Sequence, residues 1–264
     1  MRFALAQFCV RNGDVEANTV SMIDSMDKAH AAGADLLVLP EMCTTGLNWS
    51  GDQTLPERAE SALGLLVAHA AEKGIAFCGS FLERAEKGVF ANTFYYYNSG
   101  GSLLAKYRKA HLFSLFGEDS QMLAGDKIVT ADAGFCRIGC SICYDLRFPE
   151  LFRKCVLDGT EVQILVAAFP HPRLSHWQSL IRARAIENQV YFVAVNQCGK
   201  ERIGSAGDEV TYFGHSMVVD PWGEVVFEAG EEPGLFEVEL DLAQVRFARE
   251  RMPALKDRRS DLYE

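Results

Sequence analysis

The feature that most constrains this chain is an apolar run, Phe135 to Ile142, that breaks abruptly into Cys143-Tyr144-Asp145-Leu146-Arg147-Phe148-Pro149-Glu150. A run of that length, bounded by Gly134, predicts a buried strand. Pro149 fits the first turn of a helix, where its missing N–H costs nothing. Leu151, Phe152, Val156 and Leu157 follow at roughly helical spacing. Cys143 therefore falls where a buried strand ends and a helix is about to start. At such a junction a thiol can face a cleft, with backbone N–H groups near enough to stabilise a thiolate or an oxyanion. The competing reading is a small core residue, which most free cysteines are.

Similar runs punctuate the rest of the chain. Strands are expected over Phe3 to Val10, Leu36 to Leu39, Ile75 to Leu82, Val162 to Ala168, Tyr191 to Asn196 and Leu235 to Leu240. Helical patterns cover Val15 to Ala32, closed by Gly33, and Glu57 to Lys73, closed by Gly74. Two more cover Pro149 to Asp158 and Trp177 to Asn188, and residues 52–56 read as loop. Hairpins are expected for Phe90 to Tyr97 with Leu103 to Tyr107, and for Ser216 to Val219 with Glu224 to Phe227 about Asp220-Pro221-Trp222-Gly223. Ile128 to Ala131 should pair with Phe135 to Ile142, and the tail from Asp241 is polar and partly helical. Helices alternating with buried strands at both ends, with hairpins between, predict a mixed sheet or two stacked sheets covered by helices. No linker, low-complexity run or repeat divides the chain, so residues 1–264 are expected to form one α/β domain.

A formal net charge of −10 argues against a nucleic-acid partner, whose phosphates would be repelled. No apolar stretch is long enough to span a bilayer, and the start of the chain lacks a signal-peptide layout. Eight cysteines scattered through mostly apolar surroundings fit reduced thiols in a cytoplasmic protein.

Three positions carry a reactive or charged side chain directly after an apolar strand. Glu41 follows Leu36-Leu37-Val38-Leu39-Pro40; Lys109 lies in Lys106-Tyr107-Arg108-Lys109-Ala110-His111; the third is Cys143. A buried carboxylate is costly unless paired or used, although a helix-cap or surface role for Glu41 is the plainer reading. Lysine-rich turns are usually solvated faces. Together, a carboxylate to take a thiol proton, an ammonium to hold negative charge and a thiol nucleophile suffice for acyl transfer. Cys140 and Cys143 also form a C-x-x-C pair, so a redox site is conceivable, but Cys140 lies inside the apolar run. His171 and His176 lack a second ligand pair, so no metal is expected.

With these residues in view, the chain resembles the nitrilase superfamily of carbon–nitrogen hydrolases. Five elements come in that family's order: Leu37-Val38-Leu39-Pro40-Glu41; Tyr107 to Phe113; Cys143 to Glu150; Arg182 to Asn188; and Gly214-His215-Ser216 leading to Asp220-Pro221-Trp222-Gly223. The resemblance implies a four-layer αββα sandwich of two mixed sheets flanked by helices, assembled as a homodimer or higher homo-oligomer. It implies Glu41 as general base, Lys109 as stabiliser of the tetrahedral intermediate and Cys143 as nucleophile, with no cofactor. Glu118, beside Asp119, matches a second glutamate that orients the lysine. The form around Cys143 is similar to that of ω-amidase-like enzymes, which act on small linear amides with a carboxylate at the far end, such as α-ketoglutaramate. N-Carbamoyl amine and nitrile hydrolysis are the alternatives within the superfamily, and an interaction scaffold is the alternative outside catalysis. Arg147 or Arg173 could clamp a substrate carboxylate, although Arg147 could equally brace its loop through Asp145 or Glu150. Tyr144, Phe116, Phe169 and Trp177 are candidates for the pocket wall.

Overall fold

In the computed structural model, which describes residues 1–47, 54–85, 89–203 and 208–262, the period of two in each apolar strand becomes two separate cores. Along β1 (Arg2–Gln7), Phe3 and Leu5 enter one core while Ala4 and Ala6 enter another. After α1 (Val15–Ala31), the strand β2 (Leu36–Val38) repeats the pattern, with Leu36 and Val38 facing one way and Leu37 the other. Strands buried on both faces must be covered on both, which is why these runs are continuously apolar. The helix α2 (Leu55–Lys73) is followed by β3 (Ala76–Arg84), β4 (Phe90–Tyr97) and β5 (Leu103–Arg108). Leu55 and Pro56, expected in a loop, form the first turn of α2; residues 52 and 53 lie outside the described residues.

A one-turn helix, α3 (Glu118–Gln121), leads to β6 (Thr130–Asp132) and β7 (Arg137–Ile142). A 3-10 turn over Cys143–Arg147 precedes α4 (Pro149–Leu157), β8 (Val162–Ala167), α5 (Leu174–Asn188) and β9 (Tyr191–Asn196). Next come β10 (Cys198–Ile203), β11 (Asp208–Phe213), β12 (Met217–Val219), β13 (Val225–Glu228), β14 (Gly234–Glu239) and α6 (Ala243–Arg251). The antiparallel ribbon β10–β11 has no counterpart among the expected strands.

Two six-stranded mixed sheets result, ordered β14-β1-β2-β3-β4-β5 and β13-β12-β9-β8-β7-β6. Each has a parallel trio at its centre, β1-β2-β3 or β7-β8-β9, flanked by antiparallel strands. Phe3, Val38, Phe94, Tyr107, Ile142 and Val166 fill the layer between the sheets. Met22 and Met26 of α1 and Leu66 and Ala70 of α2 cover the outer face of the first sheet. Phe152 of α4 and Trp177, Ile181 and Ala185 of α5 cover the second. This is the αββα sandwich, and each fully buried large apolar side chain contributes about 1.5–3 kcal/mol to it. Among the described residues, no helix is long and apolar enough to cross a membrane.

Candidate active site

Parallel trios end their strands in the same direction, so the loops after β2, β7 and β8 are delivered to one side of the sandwich. Glu41 sits just past β2 in a loop that stays hydrogen-bonded to β3. Leu39 N–H donates to the Cys78 carbonyl at 2.8 Å, and Cys43 N–H donates to that of Ser80 at 3.0 Å. Met42 N–H donates to Ser80 Oγ at 2.8 Å. Facing sheet two, Glu41 Oε2 accepts from Ala168 N–H at 2.8 Å, just beyond β8.

Lys109 follows β5 and turns inward. Its Nζ donates to Glu41 Oε1 at 2.8 Å and to both oxygens of Glu118, at 3.1 and 2.8 Å. Glu118 is anchored in turn by Phe113 N–H, which donates to Oε2 at 2.7 Å. Asn92 Nδ2 donates to Glu41 Oε1 at 2.8 Å and to Glu118 Oε1 at 3.2 Å. Glu41, Lys109 and Glu118 are each at most 2% exposed. Charges this deep are tolerated only with partners. Two carboxylates share one ammonium here, leaving one surplus negative charge. Asp119, the neighbour of Glu118, faces solvent.

Cys143 opens the 3-10 turn with φ of 44°, and Met42, next to Glu41, has φ of 47°. Non-glycine residues adopt this region at a cost of about 1–3 kcal/mol, and only where surrounding structure enforces it. Asp145 supplies that enforcement. Its carboxylate is fully buried and accepts from Tyr107 Oη at 2.7 Å and Ile142 N–H at 2.9 Å, with His111 Nδ1 at 2.8 Å. On the other side Arg184 Nε and Nη2 donate to the Leu146 carbonyl at 3.3 and 3.1 Å.

Burial pushes the Cys143 thiol well above its ordinary value, the Glu41 carboxylate adds to that shift, and Lys109 opposes it. The Cys143 thiol is therefore neutral at rest, in contrast to a preformed thiolate, and could act as a nucleophile only with a base beside it. Burial alone would lower the Lys109 ammonium, but Glu118 and Glu41 overcome it and hold the group well above the usual lysine range. Lys109 stays charged.

Glu41, Lys109, Glu118 and Cys143 meet at the base of a cleft of about 420 Å3, open solvent at its mouth included. Tyr144, Phe116, Phe169, Arg147 and Arg173 line it, together with Phe113. The Arg147 guanidinium lies 5.5 Å from the Phe169 ring centre and that of Arg173 lies 5.9 Å from the Phe113 ring. Among the described residues neither arginine forms an ion pair with a carboxylate. Asp145, taken by Tyr107 and His111, does not brace Arg147, whose Nη2 lies 3.4 Å from His176 Nδ1. Trp177 is not part of the wall. It is fully buried behind it, 5.4 Å from the Phe169 ring and donating through Nε1 to the His215 carbonyl at 2.8 Å. Cys140 lies fully buried inside β7 and all eight cysteines are free, so the two thiols of the C-x-x-C pair have different surroundings. Sequence reasoning missed Asn92 and Phe113; the polar pair Asn92-Thr93 inside the otherwise apolar and aromatic strand Phe90–Tyr97 was the available signal for Asn92.

Two stacked mixed sheets with a Glu–Lys–Cys centre at their shared edge define a protein of the nitrilase-superfamily class. The chain belongs to the carbon–nitrogen hydrolase family, whose pattern matches residues 2–250. It is 39% identical over 232 residues to the 2-oxoglutaramate amidase of Bacillus subtilis (strain 168), with 87% of each chain covered. It is 33% identical over 276 residues to the omega-amidase NIT2 of Homo sapiens, covering 99% of this chain and 96% of that protein. A variant of an amidase from Nesterenkonia sp. AN1 matches with a TM-score of 0.85 at 28% identity, over 100% of this chain and 95% of that one. That structure carries the acetamide moiety of fluoroacetamide covalently added to its active-site cysteine.

Proposed function

We propose that this chain is an amidase that cleaves a small linear amide to a carboxylic acid and ammonia through a thioester on Cys143. The observation that carries the reading is the meeting of a neutral thiol, a buried carboxylate and a buried ammonium at the base of one cleft. Glu41 accepts the thiol proton as Sγ bonds to the substrate carbonyl carbon. The carbonyl oxygen becomes an oxyanion held by Lys109 Nζ and Tyr144 N–H. The C–N bond breaks as the proton held by Glu41 passes to nitrogen, and ammonia departs. Water then gives a proton to a glutamate and attacks the thioester; the C–S bond breaks, the thiol regains its proton and the acid leaves. Glu118 keeps Lys109 pointed at the reacting oxygen.

An ω-amidase-type substrate, with a carboxylate remote from the amide, is the leading choice. It is supported by the named activities of the relatives and by two cleft arginines without carboxylate partners, Arg147 and Arg173, among the described residues. α-Ketoglutaramate is the first compound to test. The reading includes a homodimer or higher homo-oligomer acting in the cytoplasm.

The test is ammonia release over ω-amides, neutral aliphatic amides, N-carbamoyl amines and nitriles, with Cys143→Ala and Arg173→Ala alongside. Turnover of a carboxylate-tailed amide is expected, abolished in Cys143→Ala and reduced about 10- to 100-fold in kcat/KM in Arg173→Ala. Turnover confined to nitriles or N-carbamoyl amines would move the enzyme to another branch. A folded, fully silent protein would favour an interaction scaffold.

A further inference from the structure

The hydrogen-bond chain behind the two carboxylates has a direction fixed by its first member. Met42 N–H can only donate, and it donates to Ser80 Oγ at 2.8 Å. With that acceptor position filled, Ser80 directs its own hydroxyl proton to Asn92 Oδ1, 2.8 Å away. The Asn92 amide is thereby oriented with oxygen toward Ser80 and Nδ2 toward the cleft, where it meets Glu41 Oε1 and Glu118 Oε1. Ser80 and Asn92 are fully buried, so no solvent competes for these bonds. The chain begins in the backbone of the residue that follows Glu41 and ends on the Glu41 carboxylate.

Building on the proposed reaction, we infer that Asn92, oriented by Ser80, is a positioning residue that presents two N–H donors, one to each carboxylate, and holds the pair in place. The charge count explains why a neutral donor is suited to the place. Glu41 is faced by Lys109 after β5, Glu118 on α3, Cys143 after β7 and Tyr212 on β11. A second cation at position 92 would cancel the surplus negative charge that lets Glu41 accept the thiol proton. An acid there would crowd a third carboxylate against the first two. The amide supplies donors without changing the charge, and its bond to Glu118 Oε1 shares that oxygen with the longer of the Lys109 contacts, at 3.1 Å.

The same panel substrate, circular dichroism and the rate of Cys143 alkylation by iodoacetamide test this. Asn92→Asp keeps the shape but exchanges donors for an acceptor. Asn92→Ala removes both shape and donors. A donor role predicts a kcat loss of about 10- to 100-fold for Asn92→Ala and on the order of 1,000-fold for Asn92→Asp. It also predicts slower alkylation in both and an acidic limb of kcat/KM moved to higher pH in Asn92→Ala, because the ionised base has lost a donor. Ser80→Ala, which leaves the amide free to turn over, should show the same signs at roughly 3- to 10-fold. A role in packing alone predicts the reverse order, Asn92→Asp nearer to the parent than Asn92→Ala, with an unmoved pH limb and unchanged alkylation. That result in folded protein would overturn the inference. If Asn92→Asp fails to fold, Ser80→Ala decides, since a parent-like pH limb and alkylation rate there also overturn it. Should Cys143→Ala and Glu41→Gln retain full turnover, the proposed reaction itself fails, a different outcome from parent-like Asn92 variants beside inactive Cys143→Ala.

Discussion

Strands β4 and β5 present a carboxylate cluster on each face of the first sheet, and the two clusters are built from adjacent residues. On the outer face Glu83 accepts from Thr93 Oγ1 at 2.6 Å and from Arg108 Nε at 2.9 Å, with Lys106 Nζ 2.7 Å away. On the inner face Asn92 and Lys109, the immediate neighbours of Thr93 and Arg108, hold Glu41 and Glu118. Each cluster combines a neutral donor from β4 with cationic donors from the end of β5. Among the described residues the outer one has two cations for one carboxylate, and the cations are partly exposed. The inner one has two carboxylates for one cation, with all three buried. Outside, both oxygens of Glu83 are occupied by donors. Inside, negative charge is in surplus beside a neutral thiol, and a proton has somewhere to go.

Three substitutions sharpen this contrast. Lys109→Met removes the one cation of the inner cluster and leaves two buried carboxylates facing each other. Activity should fall below detection, and urea unfolding should show a loss of about 3–5 kcal/mol. A smaller effect is expected for Glu118→Gln, which keeps the shape and one acceptor for Lys109. A kcat decrease of about 100-fold with KM nearly unchanged and a melting temperature close to the parent would fit a residue that aims the ammonium. A loss confined to KM would assign Glu118 to substrate binding instead.

The smallest change is predicted outside. Burial works to raise Glu83, but Arg108 and Lys106 prevail and bring it from 4.5 down to about 2. Such a group stabilises the fold fully above its unfolded value, and that stabilisation is lost as pH falls from 4.5 toward 2. Glu83→Gln should therefore cost about 1–2 kcal/mol at neutral pH, discounted for the exposure of its cations, with the difference closing in acid and kcat unchanged. A large loss of turnover in this variant would mean that the two faces are coupled through the strands.

The same pair of strands marks what was legible in the sequence. Tyr191–Asn196 and Phe90–Tyr97 coincide with their expected spans because buried strands are built mostly of apolar and aromatic residues. Lys106, Arg108 and Lys109 read together as a solvated turn. In the fold, alternation sends the first two outward to Glu83, while Lys109, just past the strand, turns inward to Glu41. Glu41 and Cys143 were visible because each follows an apolar run, where a polar side chain has no reason to be unless partnered. The ribbon β10–β11 was invisible because Lys200, Glu201, Arg202 and Glu209 break any apolar pattern. The alternative in which Arg147 braces its loop through Asp145 fails for a related reason: Asp145 is claimed by Tyr107 and His111, which are distant in sequence.

The bond from Ala168 N–H to Glu41 Oε2, at 2.8 Å, joins a carboxylate carried by one sheet to the backbone of the other. Glu41 and Cys143, the proposed base and nucleophile, belong to different layers, so the interval between them is set by how the layers seat on each other. A misplacement of about 1 Å is enough to cost a reaction of this kind two orders of magnitude. The apolar filling between the sheets, Phe94 and Ile142 among it, thus sets the spacing that the proposed proton transfer needs. It also means that the proposed base and nucleophile come within reach of each other only once the two sheets have met.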